Sequence, residues 1–416
     1  MIFPAPSEAF ASSDVRALRD AGVDVSVYTI RTPLRNVREL LVERGLSNLR
    51  VSQGGLTADI RGVLSCLTRP VLAGRLLMWL LGVSWKRPVQ LMTSLVVVPR
   101  SMGILAELER DRPDVVHLFW GHYPSVVGFL VSRKLPGTVL SLFLGAYDLT
   151  RRFGGTRWVA QRADLMSTHA SCNLAAIEEL GVIRDGIHVA HRGIDLTIFE
   201  ARSTKKSSRR IVTAGRLERG KGMDDALRVF RDVRTRWPDA TMHVLGEGQE
   251  RATLGKLAQE IGIAKAVTFI GHVPQPVLAA ELAKAELFVL MSWGESERLP
   301  NVVKEAMACG CVCVVTETPG MSELLEHGRH GFQVPIGDIA AAAEKVNDVF
   351  SGRVDALAIR EAASKRIAER FDASASMLSY RRQWQEAIDL RRARLRRTAT
   401  GGSMLGEARA EGSGRR

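Results

Sequence analysis

Short runs of β-branched and other apolar residues alternate with amphipathic helical stretches along most of the chain. The runs that predict strands lie at residues 23–30, 114–119, 138–144, 211–215, 241–246, 267–270, 287–290 and 311–316. A helix from Met223 to Arg236 follows the first strand of the second series. This alternation predicts an α/β protein with parallel sheets, and ligands of such sheets bind at the carboxyl ends of the strands.

A polar and basic stretch, Ser203 to Arg210, separates the two series of elements. We therefore predict a first Rossmann-like domain at residues 1–202 and a second at residues 203–372. Residues 373–416 are predicted to form a C-terminal helix and a basic tail, and the Arg/Gly/Ser-rich last dozen residues are expected to be disordered. The length of 416 residues fits two or three domains.

Composition places the chain among ordinary globular proteins, with 46% hydrophobic and 25% charged residues. The net charge of +13 comes mainly from two segments. Residues 51–100 have six basic residues and one acidic residue, and residues 391–416 have eight basic residues and two acidic ones. Such a surplus is compatible with nucleic-acid binding. However, no nucleic-acid-binding motif accompanies it and aromatic residues are only 6%, so we expect no nucleic-acid partner.

The five cysteines are too few for a disulfide-stapled secreted protein. Three of them, Cys309, Cys311 and Cys313, alternate and would share one face of an extended strand. We interpret them as small apolar residues in a reducing compartment, since no second Cys or His pair lies at zinc spacing. An Asp-x-Asp sequence, which would indicate a metal-bridged diphosphate, is also absent from the sequence. No metal is therefore expected. The opening residues do not resemble a signal peptide, which favours a cytoplasmic protein.

A glycine-flanked basic loop, Gly215 to Gly222, follows a predicted strand and precedes a predicted helix. Glycines allow the backbone to approach a ligand, and the start of a helix favours negative charge. Arg216 and Lys221 are suited to binding a diphosphate. The loop differs from a P-loop because Gly222 replaces the magnesium-binding Ser or Thr. Surface cations on a tight turn would have the same sequence pattern.

Glu297 and Glu305 lie on either side of a predicted helix start, with Pro300 near the first helical position. A polar ligand would find three kinds of partner here: a carboxylate in the loop, free amides at the helix start and a second carboxylate inside the helix. Two solvated surface acids would fit the bare pattern equally well.

The second half resembles the donor-binding half of family 4 glycosyltransferases, which are retaining enzymes with the GT-B fold. The motifs that carry this resemblance are Gly215-Arg216-Leu217 with Lys221-Gly222, Gly246-Glu247-Gly248, Glu297 paired with Glu305-Ala306-Met307-Ala308-Cys309-Gly310, and Pro319-Gly320-Met321-Ser322-Glu323. Upstream, His191-Arg192-Gly193-Ile194-Asp195 is similar to the linker motif of the family, and Phe3-Pro4 resembles the start of its polysaccharide-assembling members.

The resemblance implies catalytic roles for three residues. Arg216 and Lys221 would bind and stabilise the leaving diphosphate of a nucleotide-sugar, and Glu297 would accept hydrogen bonds from hydroxyls of the transferred sugar. The donor-binding positions that the resemblance implies are Gly215, Gly246, Gly248, Gly271, Arg298, Leu299, Pro300, Asn301 and Glu305. Among them, Glu305 would bind the ribose hydroxyls. No metal is implied, and no cofactor besides the nucleotide-sugar.

The chain also departs from the family pattern. Arg298 stands where Gly or Ala is usual, and an arginine there would contact the diphosphate or an acidic sugar, or point away. The usual first-half His-Gly with a following Asp is replaced by residues 143–148, which end in Asp148 and contain no histidine. His122 is either a substitute on the acceptor side or a structurally hydrogen-bonded loop residue. Only Met1 to Pro4 remain where a first strand and its glycine-rich loop would normally lie, so either the chain begins late or the first sheet lacks a strand.

The basic segment at residues 69–100 also contains large apolar residues, including Trp79 and Trp85. An interfacial helix at a membrane combines cations and apolar groups in this way, and a buried helix fits the pattern equally well. The run from Arg391 to Arg397 would lie on the same membrane face or form a solvated helix end. We therefore expect a cytoplasmic protein, with peripheral contact to the inner face of the cell membrane as one alternative.

Together, these features predict a retaining, metal-independent hexosyltransferase of cell-surface polysaccharide biosynthesis. Its donor would be a UDP- or GDP-linked sugar, and its acceptor a hydroxyl of a glycan or lipid-linked saccharide. The alternative is a non-catalytic partner that binds sugar nucleotides in a glycan assembly complex.

Overall fold

The computed structural model describes residues 2–5, 9–200, 206–294 and 297–411, with side chains as far as residue 396. The predicted boundary between the two domains, at residues 202 and 203, lies outside the described residues. The last five residues of the basic tail also lie outside them.

The first half of the chain contains two parallel sheets covered by helices. Its strands are β1 (Ser26–Tyr28), β2 (Arg50–Ser52), β3 (Val115–Leu118), β4 (Val139–Phe143), β5 (Leu165–Thr168) and β6 (Ile187–Val189). Its helices are α1 (Ala9–Asp20), α2 (Val37–Glu43), α3 (Leu56–Thr68), α4 (Pro70–Ser84), α5 (Pro88–Val96), α6 (Val98–Asp111), α7 (Pro124–Lys134), α8 (Ala146–Arg151), α9 (Gly154–Ala160) and α10 (Leu174–Glu178). Strands β3 to β6 pair in chain order, and β1 pairs with β2.

The second half contains one six-stranded parallel sheet. Its strands are β7 (Arg210–Ala214), β8 (Thr241–Leu245), β9 (Val267–Gly271), β10 (Leu287–Leu290), β11 (Val312–Thr316) and β12 (Phe332–Val334). Its helices are α11 (Met223–Arg236), α12 (Arg251–Glu260), α13 (Gln275–Lys284), α14 (Asn301–Ala308), α15 (Met321–Leu324), α16 (Ile339–Phe350) and α17 (Ala356–Arg370). A last helix, α18 (Ala373–Glu411), follows this half.

The strand order of the large sheet decides where a ligand can bind. The order is β12-β11-β10-β7-β8-β9, so the chain reverses its direction of growth between β7 and β10. This is the order of a dinucleotide-binding Rossmann sheet, in which loops at the reversal point diverge and leave a crevice. The loops that follow β7 and β10 begin at Gly215 and Met291, and they carry the predicted donor-site residues.

The C-terminal helix returns to the first half and ties the two halves together. Ile194 and Asp372 form an isolated β-bridge, and a Cβ atom on Gly193 would lie 2.2 Å from the Ala373 nitrogen, so only glycine fits there. Further along α18, the Trp384 indole Nε1 donates to Ser141 Oγ in β4 at 3.0 Å. Helix α18 therefore completes the core of a sheet that lies more than two hundred residues earlier in the chain.

The structure confirms the alternation of strands and helices, and helix α11 has the predicted bounds. The strand predicted at residues 23–30 is shorter, because only Ser26–Tyr28 pair with β2. The three alternating cysteines do not share a strand: Cys309 follows α14, Cys311 precedes β11, and only Cys313 lies within it. All three are buried as predicted. Helix α18 continues to Glu411, so part of the tail expected to be disordered is helical.

The solvated helix end describes Arg392, which is exposed, whereas Arg391 is held against the first half. Arg391 Nε donates to Pro136 O at 2.7 Å, and its Nη1 pairs with Asp164 at 2.5 Å. Arg392 pairs with Asp114 at 2.9 Å. These partners precede strands of the first half, so the two arginines anchor the helix on the sheet.

We predict that Trp384→Ala lowers the free energy of unfolding by roughly 3–5 kcal/mol, because it opens a cavity beside Tyr380 and His117 and removes the bond to Ser141. Urea unfolding followed by circular dichroism measures this change. Leu390→Ala, at an exposed position of the same helix, is the control and should change stability little. Equal effects of the two substitutions would contradict the anchoring role of α18.

Candidate active site

Glycines allow the loops after β7, β8 and β9 to approach one another closely. A Cβ atom on Gly246 would lie 1.9 Å from Gly215 O, and one on Gly248 would lie 2.3 Å from Leu217 O. The Gly246 amide donates to Gly271 O at 2.8 Å. No side chain fits at Gly246 or Gly248 without moving the backbone, so this wall of the crevice is formed by backbone atoms. The structure thus brings four of the predicted donor-binding glycines together.

The basic loop after β7 is held against the loop after β10. Gly222 has a φ of 63°, and a Cβ atom on it would lie 1.8 Å from Met291 O. The amides of Trp293 and Gly294 both donate to Gly220 O, at 2.9 and 3.1 Å. These contacts fix the two loops on either side of the crevice in one relative position.

Lys221 and Glu297 meet where the two loops face each other. Lys221 Nζ lies 2.5 Å from Glu297 Oε2, and both side chains are largely withdrawn from solvent. Arg216, by contrast, is 57% exposed and pairs with Glu218 at 3.0 Å on the rim. The structure therefore joins two of the three predicted catalytic residues and leaves the third at the edge of the loop.

The segment from Arg298 to Asn301 connects Glu297 to helix α14. Arg298 Nη1 donates to Glu297 O at 2.9 Å. Leu299 has a left-handed backbone with a φ of 43° and a buried side chain, so it offers backbone atoms to a ligand. Pro300 directly precedes the helix, whose first amides have no intrahelical acceptor and favour an anion.

Glu305 lies inside α14 next to a second charged residue, Lys304. Glu305 is buried, and burial raises its pKa to about 7 although the neighbouring Lys304 opposes the shift. Lys304 is fully buried, and burial, together with Arg192, lowers its pKa to about 7. Its Nζ donates to Arg192 O at 2.8 Å and to Asn301 Oδ1 at 3.0 Å. Lys304 thereby joins the start of the donor-site helix to the linker between the halves.

The side chain of Arg192 extends this connection into the first half. Its guanidinium carbon lies 4.6 to 4.8 Å from the ring centroids of Phe10, Phe119 and Phe143. Its Nε lies 3.0 Å from Asp14 Oδ2 in helix α1. Sequence reasoning assigned Arg192 only to a linker motif and gave Lys304 no role. A charged residue on the otherwise apolar face of α14 was the available signal.

A single carboxylate organises the first-half side of the crevice. Asp148 is buried, and its Oδ1 accepts hydrogen bonds from the Gly121 amide at 2.9 Å and lies 3.0 Å from His122 Nδ1. Its Oδ2 accepts from the Gly145 amide at 3.2 Å. The two predicted acceptor-side residues are therefore in contact, and this contact orients the His122 ring through Nδ1. Leu144, in the segment that lacks the usual histidine, is fully buried in the core.

Two further residues of the crevice were missed as site candidates. His169 follows β5 beside Gly145, and burial and Arg192 hold its pKa well below the usual value. Glu323 in α15 accepts from the amides of Ser171 and Cys172, at 2.8 and 2.9 Å. Burial raises the pKa of Glu323, but these hydrogen bonds outweigh that effect and lower it overall. Glu323 thus ties the second half to the first.

Comparison with known proteins assigns this arrangement to a family. The sequence model of the glycosyl transferases of group 1 matches residues 196–366, which contain the crevice residues of the second half. Over these residues the chain is similar to the group 1 glycosyl transferases. The predicted resemblance is therefore confirmed.

Individual members of the family show how far the similarity extends. A glycogen synthase of Mycobacterium tuberculosis is 30% identical over 274 residues, which cover 63% of this chain and 66% of that protein. The chain thus spans slightly less than two thirds of that relative. The amylovoran biosynthesis glycosyltransferase AmsK of Erwinia amylovora is 25% identical over 395 residues, covering 89% of this chain and 94% of AmsK.

Among solved structures, HepE of Anabaena in complex with UDP has a TM-score of 0.70 at 16% identity, covering 92% of this chain and 97% of HepE. At that identity the likeness shows the fold alone. It confirms the predicted GT-B architecture of two α/β domains facing across a crevice.

Metal ligands were not expected in this site. Within the part of the chain that the structure describes, no three His, Cys, Asp or Glu side chains are grouped to hold a metal ion. Independence from metal nevertheless remains a prediction.

We predict that Asp148→Ala lowers the free energy of unfolding by roughly 1–3 kcal/mol, because the buried amides of Gly121 and Gly145 lose their acceptor. Asp148→Asn keeps one carbonyl acceptor and should cost less. Chemical denaturation of both variants measures which of them loses more free energy of unfolding. Asp185→Ala, on an exposed turn, serves as control. An Asp148→Ala variant as stable as the control would show that the carboxylate does not organise these loops.

Proposed function

We propose that the protein transfers a hexose from a nucleotide-diphosphate-sugar to a hydroxyl of a glycan or lipid-linked saccharide, with retention of configuration. The observation that carries this proposal is the contact between Lys221 and Glu297 at the reversal point of the sheet. It places one cation and one carboxylate beside a backbone-walled crevice, where a diphosphate and a sugar would need them.

The chemistry of the crevice supports a nucleotide-sugar as donor. A diphosphate in this crevice would lie near the Lys221 ammonium and the first amides of α14, and both favour negative charge. Glu297 would then accept hydrogen bonds from sugar hydroxyls, and Glu305 from the ribose. Backbone walls at Gly246 and Gly248 permit close contact with the nucleotide. HepE, which shares the fold, was solved with UDP and with UDP-glucose, which favours a uridine donor here.

In the proposed reaction, the bond between the sugar C1 and the diphosphate oxygen breaks, the acceptor oxygen bonds to C1, and the acceptor hydroxyl proton passes to the departing diphosphate oxygen. Negative charge grows on the leaving diphosphate, so a preorganised cation stabilises the transition state more than the ground state. Lys221 is positioned for this role. Arg216 would contribute once its side chain turns from Glu218 toward the ligand.

The first half would supply the acceptor side. His122, oriented by Asp148, would face the acceptor from the loop after β3. AmsK and WcaL, two relatives of this chain, are named as glycosyltransferases of amylovoran and colanic acid biosynthesis. These names support a role in surface-polysaccharide assembly. The cytoplasmic location stays a prediction.

We predict that UDP or GDP raises the melting temperature with EDTA present, because protein cations and amides bind the diphosphate. Lys221→Ala should weaken nucleotide affinity by about tenfold or more, since it removes a charge-assisted hydrogen bond. Titration followed by thermal shift measures both. Lys265→Ala, at an exposed position of the same domain, is the matched control. Binding that requires added metal, or that Lys221→Ala leaves unchanged, would contradict the assignment of the donor site.

Glu297→Gln should lower kcat by roughly 10²–10³-fold while the protein stays folded and still binds nucleotide, because the amide is a weaker acceptor for sugar hydroxyls in the transition state. Release of nucleoside diphosphate from a panel of UDP- and GDP-hexoses, with a glycan acceptor, measures turnover. Glu344→Gln, on the exposed face of α16, should retain full activity. Nucleotide binding without turnover in the unmodified protein would mean that the chain binds donors but does not transfer them.

A further inference from the structure

Helices α3, α4 and α5 expose far more large apolar side chains than the rest of the molecule. Among the described residues, 23 large apolar side chains are exposed, and 13 of them lie between residues 56 and 96. That segment is about a tenth of the chain. Scattered exposed apolar residues are ordinary on a soluble protein, but a concentration of this kind marks an interaction surface.

Helix α3 has its small residues inside and its large residues outside. It buries Gly62 and Ser65 against α6, and a Cβ atom on Gly62 would lie 1.9 Å from Pro99 O. Its outward side chains are Leu56, Ile60, Val63, Leu64 and Leu67, with exposed fractions from 46% to 78%. A surface helix of a globular protein in water has the opposite arrangement, with its large apolar side chains toward the core.

The next two helices continue the same apolar surface. Helix α4 buries a narrow stripe that begins at Leu72, and it exposes Val71, Leu77, Met78, Leu81 and Trp85. Helix α5 buries only Ser94 and exposes Val89, Met92 and Val96. We call the outward faces of α3, α4 and α5, with the exposed side chains named here, the docking surface.

Helix α11 of the second half provides the contrast. It buries its large apolar residues, among them Leu227 and Phe230, and its outer side chains include the charged residues Arg231 and Asp232. The outward apolar faces are therefore a local property of α3 to α5 and not a general feature of the helices of this protein.

Basic residues accompany the docking surface. The cations Arg61, Arg75, Lys86 and Arg87 are exposed there, and Arg87 also donates to the carbonyls of Arg151 and Arg152. The single acidic residue between positions 51 and 100 is Asp59. Lys86 Nζ lies 5.2 Å from the ring centroid of Trp85. A tryptophan with adjacent cations is typical of side chains at the boundary between lipid headgroups and acyl chains.

We propose that the docking surface lies flat on an anionic lipid bilayer, with its apolar side chains in the headgroup boundary and its cations on the lipid phosphates. A second copy of the chain is the less suitable occupant, because a two-fold interface would bring the same four cations together without an equal number of acids. No single helix of the described residues is long and apolar enough to cross a membrane. The two helix pairs with sufficient combined length bend by 104° and 46°.

The docking surface is the outward face of helices whose inward faces approach the loop after β3. A small cavity between α4, α5 and the loop after β3 is lined by Trp79, Ser84, Gln90, Ser94, His122 and Phe153. A bilayer on the docking surface would therefore hold a lipid-linked acceptor one helix layer away from His122. This last step rests on the proposed function, whereas binding to the bilayer does not depend on it.

Flotation of the full-length protein with vesicles tests the proposal. We expect stronger binding to vesicles that contain 30% phosphatidylglycerol than to vesicles of pure phosphatidylcholine, with about fivefold weaker binding for each cation removed from the surface. The triple variant Leu64→Gln/Met78→Gln/Trp85→Gln should lower binding at least tenfold. Ile183→Gln/Leu357→Gln, at equally exposed apolar positions elsewhere, is the matched control and should bind like the unmodified protein.

Because the substituted side chains are exposed, the triple variant should keep its melting temperature and nucleotide affinity. Absence of vesicle binding by the unmodified protein would overturn the proposal, as would equal losses in the triple and control variants. A dimer that the triple variant converts to a monomer would identify a second copy as the occupant instead. Vesicle binding without nucleotide binding would leave this proposal standing and contradict the proposed function.

Discussion

The contact between Lys221 and Glu297 depends on the reversal of strand order between β7 and β10. In a parallel sheet, neighbouring loops normally cross on the same side, but here they leave in opposite directions and open a crevice. Lys221 stands on one lip and Glu297 on the other, with Nζ and Oε2 2.5 Å apart. An ammonium and a carboxylate in contact neutralise each other until a diphosphate and sugar hydroxyls replace that contact. Without a ligand, the two charges therefore compensate each other, and a bound donor would replace this contact with contacts of its own.

The geometry of the crevice is set by backbone crowding as much as by charge. A Cβ atom on Gly222 would collide with Met291 O, and one on Gly246 would collide with Gly215 O, so no side chain fits at either position. These positions fix the loops before any ligand arrives, which reduces the ordering that binding requires. Lys304 contacts Arg192 in the linker, and Arg192 contacts Asp14 in the first half. These contacts therefore connect the first half to the helix that carries Glu305.

Much of this could be predicted from local sequence, because the pattern of strands, the glycines and the motif residues are local features. Five of the six strands of the large sheet and helix α11 follow from that pattern, whereas β12 was not predicted. Contacts between distant segments could not be predicted in this way. The pairing of Asp148 with His122, the burial of Lys304 beside Arg192 and the anchoring of Arg391 on Asp164 all depend on tertiary packing. Likewise, the apolar and basic composition of residues 69–100 fits a buried or an exposed helix equally well, and only the fold shows which residues face outward.

The central claim is that a nucleotide-sugar enters the crevice by separating Lys221 from Glu297. A crystal structure of the protein with a bound UDP-hexose tests it directly. The account predicts a phosphate oxygen within hydrogen-bond distance of Lys221 Nζ, a sugar hydroxyl on Glu297 and the ribose at Glu305. A nucleotide bound elsewhere, or one that leaves the contact between Lys221 and Glu297 intact, would contradict it.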